Sequence, residues 1–183
     1  MVVFDTSFIL LVLDPLAKAP LDPSTGMTVT KPTERVEFLI KNLSSSREKI
    51  IIPTPVLSEV LVYAGAATEK YLETLNTQST FRIVPFDQKA ALEAAIATRD
   101  ALDRGGLRVD AANPDATKTK IKFDRQIVAI AKAEGAHSIY SDDGDVHNYA
   151  ERAGLKAYRT ADLDLPPEDP QMKMDLNTPD KAK

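Results

Sequence analysis

Short apolar runs recur along this chain at Val2–Phe4, Ile50–Pro53, 82–85, 138–141 and Lys156–Tyr158, and each reads as a β-strand. Between them the apolar positions follow a helical period. Residues 33–43 carry Val36, Leu39, Ile40 and Leu43 at helical spacing. Residues 7–13, 55–64, 69–75 and 87–102 read as further helices. The second of these opens on a proline, which a first turn tolerates, and the last on an acid. Residues 123–133 place Phe123, Ile127, Ile130 and Ala131 on one face, and Gly135 stops that helix. Strands alternating with helices predict an α/β fold, a single domain with a mostly parallel central sheet flanked by helices.

Two segments fit no element. Residues 15–31 read as an extended loop. Residues 103–122 hold Gly105, Gly106 and Pro114 with the basic residues Arg104, Arg108, Lys118 and Lys120, and also read as a loop. Loops of this length in a compact domain are usually functional or disordered. From Asp164 onward four prolines and many charges predict little fixed structure, so the expected organisation is a domain over 1–163 and a flexible tail over 164–183.

Composition narrows the chemistry. With 183 residues and 43% hydrophobic content the chain can bury a sizeable core. It has no cysteine, which removes disulfides and thiolate metal sites, and no apolar stretch reaches the roughly 18 residues a membrane helix needs. A cytoplasmic protein is the expectation. The net charge of −4 argues against a protein held to nucleic acid by a global positive field. An enzyme meeting nucleic acid through a local basic patch and a metal remains open.

The acids have a pattern. Asp5 follows the first strand, and Asp142, Asp143 and Asp145 follow the fourth. In a parallel sheet these carboxyl ends share one edge, where open α/β folds place their sites. Glu59 interrupts an apolar helical run and shares a face with Val56, Val62 and Tyr63, surroundings in which a carboxylate needs a partner or a metal. Asp124 opens another helix. Hard acids without cysteine and with only two histidines suit Mg²⁺ or Mn²⁺. Plainer roles compete at every position. Asp5, Thr6 or Ser7 would serve as a helix cap, and Glu59 with Ser58 as a solvent stripe. Asp124 suits a helix N-terminus, and residues 142–145 a polar turn. His137 and His147 read as surface or structural, and Tyr63 and Tyr140 as core.

These residues resemble the motifs of PIN domains, metal-dependent nucleases that include VapC-type toxins. The matching segments are the first strand running into Asp5-Thr6-Ser7-Phe8, the Pro55-Val56-Leu57-Ser58-Glu59-Val60 helix, Asp124-Arg125-Gln126-Ile127-Val128-Ala129-Ile130-Ala131, and Ser141-Asp142-Asp143-Gly144-Asp145-Val146. Ser141 stands where the family usually has threonine, and Val146 where it has phenylalanine. The resemblance covers about residues 1–160 and implies a PIN-like fold and a metal-dependent endoribonuclease, the toxin of a toxin–antitoxin pair. It makes Asp5, Glu59, Asp124 and Asp143 the catalytic metal ligands, with Asp145 assisting and Thr6, Ser141 and Asp142 auxiliary. Mg²⁺ or Mn²⁺ would be the cofactor. RNA would be the substrate, guided by Arg104, Arg108, Lys118, Lys120 and Arg125. A small antitoxin would be the partner, and a homodimer the assembly. The rival readings are a catalytically inactive PIN-like module binding RNA or protein, and an acid-cluster phosphatase or Toprim-like enzyme.

Overall fold

A computed structural model describes residues 1–167. Residues 168–183, most of the expected tail, lie outside the described residues, so the proposed domain boundary at 163 rests on the sequence. Five strands form one sheet: β1 (Val2–Phe4), β2 (Ile50–Pro53), β3 (Phe81–Val84), β4 (Ser138–Tyr140) and β5 (Lys156–Tyr158). Their order is β3-β2-β1-β4-β5, and every pairing is parallel. Val2, Val3, Phe4, Ile50, Ile51, Ile52 and Ile139 have no exposed surface. A parallel sheet covered on both faces explains why these runs are continuously apolar rather than alternating. At the junction of β1 and β4 the rings of Phe4, Phe8 and Tyr140 pack at steep mutual angles, and Tyr158 stacks on Tyr140.

The helices are α1 (Thr6–Leu13), α2 (Pro32–Ser45), α3 (Thr54–Ala64), α4 (Thr68–Thr77), α5 (Gln88–Arg104), α6 (Lys118–Ala133) and α7 (Gly144–Arg152). Two expectations are corrected. The helix placed over 123–133 starts at Lys118, because Thr117 caps it by accepting the Lys120 backbone N–H at 3.1 Å, and Ile121 is buried one turn in. Asp124 therefore stands in the second turn, beyond the first turn where a helix dipole favours an acid. The sequence predicts no helix after β4, yet Gly144 and Asp145, weighed as part of a polar turn, begin α7, with Asp142 outside it. Asp143 caps it through the Asp145 N–H at 2.7 Å, and Val146, Tyr149 and Ala150 form its buried stripe.

Of the two predicted loops, residues 15–31 are irregular apart from one antiparallel bridge, Leu21 to Thr28. The second loop shrinks to residues 105–117 and is tied down. Ala116 is buried, Arg108 donates to the Ala116 carbonyl at 3.0 Å, and the Asn113 N–H donates to Asp145 at 3.0 Å. No helix among the described residues is long and apolar enough to cross a membrane.

Asp142 fastens the end of β4 to the turn after β5. Its carboxylate accepts the Thr160 N–H at 2.9 Å and the Thr160 hydroxyl at 2.7 Å, and Thr160 is fully buried. Asp142→Ala leaves both donors without a partner and is expected to lower stability by about 1–3 kcal/mol. A lower urea midpoint with an unchanged m-value is the result that checks it.

Candidate active site

The sheet order reverses between β1 and β4, and the crevice at that switch point opens at the carboxyl ends of both strands. Asp5 lies at the end of β1, and its backbone N–H donates to the Tyr140 carbonyl of β4 at 3.0 Å. The Ser141 hydroxyl donates to Asp5 Oδ2 at 2.6 Å and accepts the Asp143 N–H at 3.0 Å. Asp145 follows in the first turn of α7, and Asp124 arrives from α6. Carboxylate oxygens of Asp124, Asp143 and Asp145 lie within 4.8 Å of one another. Glu59 approaches from α3 and accepts the Thr6 hydroxyl at 2.7 Å. Asp5, Glu59, Asp124 and Asp143 line one open groove of about 760 Å³, with Thr117, Phe123 and Tyr63 at its sides.

One cation lies among these acids. Lys120 Nζ is 2.7 Å from Asp124, 2.9 Å from Asp143 and 2.9 Å from Asp145. It stands one helical turn before Asp124, so the helix itself aims it. Burial works against its charge, but its three carboxylate partners hold the ammonium well above the usual lysine range. Burial pushes the Asp124 carboxyl up to about 7, against the pull of Lys120. It pushes Asp5 up to about 6, against the Ser141 hydroxyl, while the charges of Asp143 and Glu59 add to the rise. Asp145 goes the other way. Burial raises it, but the Asn113 N–H and Lys120 outweigh that and hold it below the usual carboxylate range. The set is all-oxygen and partly desolvated, and it carries more acids than one ammonium neutralises. It fits a hard divalent cation, which would have to displace Lys120.

The other candidate residues are placed differently. Asp142 turns away to Thr160. Thr6 and Ser7 cap nothing with their side chains. Thr6 holds Glu59, and Ser7 accepts the Asp142 N–H at 3.3 Å. Arg104 is bound to Asp100 and Asp110, Arg108 to the Ala116 carbonyl, and Arg125 is buried. Lys118 lines a separate hollow beside α5. Of the five basic residues expected to guide RNA, only Lys120 lines the groove. The surroundings of Glu59 also differ from expectation. Val62 and Tyr63 are 80% and 65% exposed, so the face they share with Glu59 is the open side of α3 rather than an apolar interior. Tyr140 is core and Tyr63 is not. His147 is buried and donates to the Ser141 carbonyl at 2.7 Å, while exposed His137 contacts Glu48. Asn113 is a further contributor without a sequence signal, because its contact is a backbone N–H, which a side-chain pattern does not reveal.

No family model matches the chain, and no curated protein matches it in sequence. Solved structures do resemble it. FitAB bound to an IR36 DNA fragment matches with a TM-score of 0.58 at 18% identity, over 90% of this chain and 98% of that one. VapBC2 from Rickettsia felis, bound to a DNA fragment from their promoter, matches with 0.57 at 14% identity, over 90% and 100%. DNA-bound VapBC from Salmonella typhimurium matches with 0.52 at 13% identity, over 87% and 97%. At these identities the likeness is one of fold. The α/β PIN-like architecture of VapC-type proteins, expected from the motifs, is the architecture this chain adopts.

Asp5 and Asp124 titrate near 6 and 7 in the fold, against 3.8 for an unperturbed carboxyl. Between those values the folded state holds protons that the unfolded chain has released. Their contribution to stability is therefore present below pH 3.8 and is lost as pH rises through 7. In EDTA, the melting temperature is expected to fall from pH 5 to pH 8. The double variant Asp5→Asn, Asp124→Asn is expected to show a shallower fall. Equal slopes for the two proteins would assign the pH dependence to other groups.

Proposed function

We propose that this protein is a Mg²⁺- or Mn²⁺-dependent endoribonuclease that hydrolyses RNA phosphodiester bonds. The observation that carries the reading is the convergence of Asp5, Glu59, Asp124 and the pair Asp143 and Asp145, from four separate segments, at the switch point of the sheet. Asp5, Glu59, Asp124 and Asp143 would hold the cation, and Asp145 would assist. A bound divalent cation supplies charge neutralisation at a phosphoryl oxygen and lowers the pKa of water. The chain does the rest. Ser141 and Thr6 fix the Asp5 and Glu59 carboxylates by hydrogen bonds of 2.6 and 2.7 Å. Exposed Tyr63 and Phe123 offer ring faces beside the groove on which unpaired bases stack. Lys120 is the groove's cation for the RNA backbone once it leaves the acids. Arg104 and Arg108 are engaged elsewhere, and Arg125 is buried away from the groove.

The proposal includes a small antitoxin partner and a homodimer, making this chain the toxin of a pair in a cytoplasmic setting. Its support is the fold likeness to the VapBC and FitAB assemblies. Exposed Val62 and Tyr63 beside the groove, with Leu16 nearby, give such a partner apolar surface to cover.

A second reading, the inactive RNA- or protein-binding module, is favoured by Lys120. An internal ammonium already satisfies three of the acids, as a retired metal site would require. Two experiments separate the readings. On a mixed RNA pool with Mn²⁺, the nuclease reading expects cleavage that EDTA abolishes. It also expects losses of orders of magnitude in Asp5→Asn, Glu59→Gln, Asp124→Asn and Asp143→Asn, because such residues act as a unit. Cleavage that survives EDTA would overturn it.

The other experiment is Lys120→Met. It is expected to lower the melting temperature in EDTA, since three acids lose their counter-charge. It is also expected to tighten Mn²⁺ binding by about tenfold, equivalent to about 1.4 kcal/mol. Calorimetry that detects no Mn²⁺ binding, in wild type or in Lys120→Met, would leave the binding module ahead.

A further inference from the structure

A second cavity, of about 280 Å³, lies where α5, α6 and α7 meet, and it shares no lining residue with the acidic groove. Its walls include Ile96, Ala97, Val128 and Ala153. Its lining also includes Arg125 and Tyr149, which are only 6% and 5% exposed. Among the described residues, Arg125 Nη1 and Tyr149 Oη are the buried side-chain polar atoms without a hydrogen-bond partner. The other terminal nitrogen of Arg125 donates to the Leu107 carbonyl at 2.9 Å, and the guanidinium lies 5.1 Å from the Tyr149 ring centre.

The remaining charges around this cavity are already matched. Lys132 pairs with Glu93 at 3.0 Å, and Arg152 with Asp100 at 3.4 Å. Both oxygens of Asp110 accept from Arg104, at 2.8 and 2.5 Å. Asp110 feels the field of Arg125, but its oxygens are committed to Arg104. Among the described residues Arg125 is thus the lining charge without an ion-pair partner, and it is the buried one. A desolvated guanidinium is costly unless an anion meets it, and its planar fork matches a carboxylate.

We propose that this cavity binds a small carboxylate with an apolar body. One carboxylate oxygen accepts from Arg125 Nη1 and from the Tyr149 hydroxyl. The body lies against the apolar walls formed by Ile96, Ala97, Val128 and Ala153. Both polar groups are donors to the same anion, which explains why neither has a partner among the described residues. The inference is independent of the nuclease proposal, since no residue in it belongs to the acidic groove.

Benzoate is the probe, with benzyl alcohol as its neutral counterpart and inorganic phosphate as an anion lacking the body. On the full chain, benzoate is expected to raise the melting temperature and to shift NMR resonances of the Arg125 and Tyr149 side chains at millimolar concentration. Benzyl alcohol and phosphate are expected to do neither. Arg125→Met should abolish the benzoate response while melting at or above the wild-type temperature, because it removes an unpaired buried charge. Tyr149→Phe removes only the hydroxyl and should weaken benzoate binding several-fold, which keeps the test open if Arg125→Met misfolds. The proposal is overturned if benzoate has no effect, if benzyl alcohol or phosphate binds equally well, or if Tyr149→Phe and Arg125→Met both bind as wild type does.

Discussion

Phe4 pairs with Tyr140 in the β1–β4 ladder, and that register places Asp5 beside Ser141. One hydroxyl then joins the two strand ends, donating to Asp5 and accepting from the Asp143 N–H. A hydroxyl has one proton to give and lone pairs to receive, so Ser141 can serve both carboxylate-bearing residues at once. Asp143, so placed, caps α7 and sets Asp145 in its first turn; Asp145 in turn holds the 105–117 loop through Asn113. A slip of one residue between β1 and β4 would turn every side chain to the opposite face and dissolve this arrangement. The apolar strands therefore do more than form a core. Their burial on both faces desolvates the edge where the acids gather, and that desolvation is the largest influence raising Asp5 and Asp124.

Much of this framework is legible in the sequence. The central strand runs need only their apolar continuity to be found, while those of β3 and β5 carry Arg82 and Lys156; the strands begin where the runs begin, except that β3 starts one residue earlier, at Phe81. Helix starts are harder wherever the cap lies inside a polar stretch. Thr117 sits in Thr-Lys-Thr-Lys, where nothing apolar marks the first turn until Ile121, so the beginning of α6 has the composition of a loop. α7 is hidden by its own acids. Asp142, Asp143, Gly144 and Asp145 have turn composition, yet Asp143 is a cap and Asp145 a first-turn residue, and the apolar stripe begins only at Val146.

The acidic groove is legible because it follows from topology: strand ends in a parallel sheet share an edge. What lines it beyond the acids depends on side-chain direction, which period alone leaves ambiguous. Val62 and Tyr63 look like core residues on a helical wheel, but α3 buries Val56 and Val60 and leaves the other two exposed. The basic residues mislead for a similar reason. A count of arginines and lysines in a loop says nothing about which are already engaged by Asp100, Asp110 or a carbonyl. Arg125 directly follows Asp124, but one residue turns a helix by about 100°, enough to carry it from the groove into a separate cavity.

Lys120 belongs to the same helix as one of the acids it neutralises, one turn away. A counter-ion attached in this way has an effective concentration set by the stiffness of a helical turn and a side chain, not by the solution. Dilution cannot remove it, and added monovalent salt only weakens its hold. Any cation that enters must therefore outcompete a rival that is always present at constant strength. The occupancy of the groove then depends on the free concentration of the incoming ion and hardly at all on how much of the protein there is.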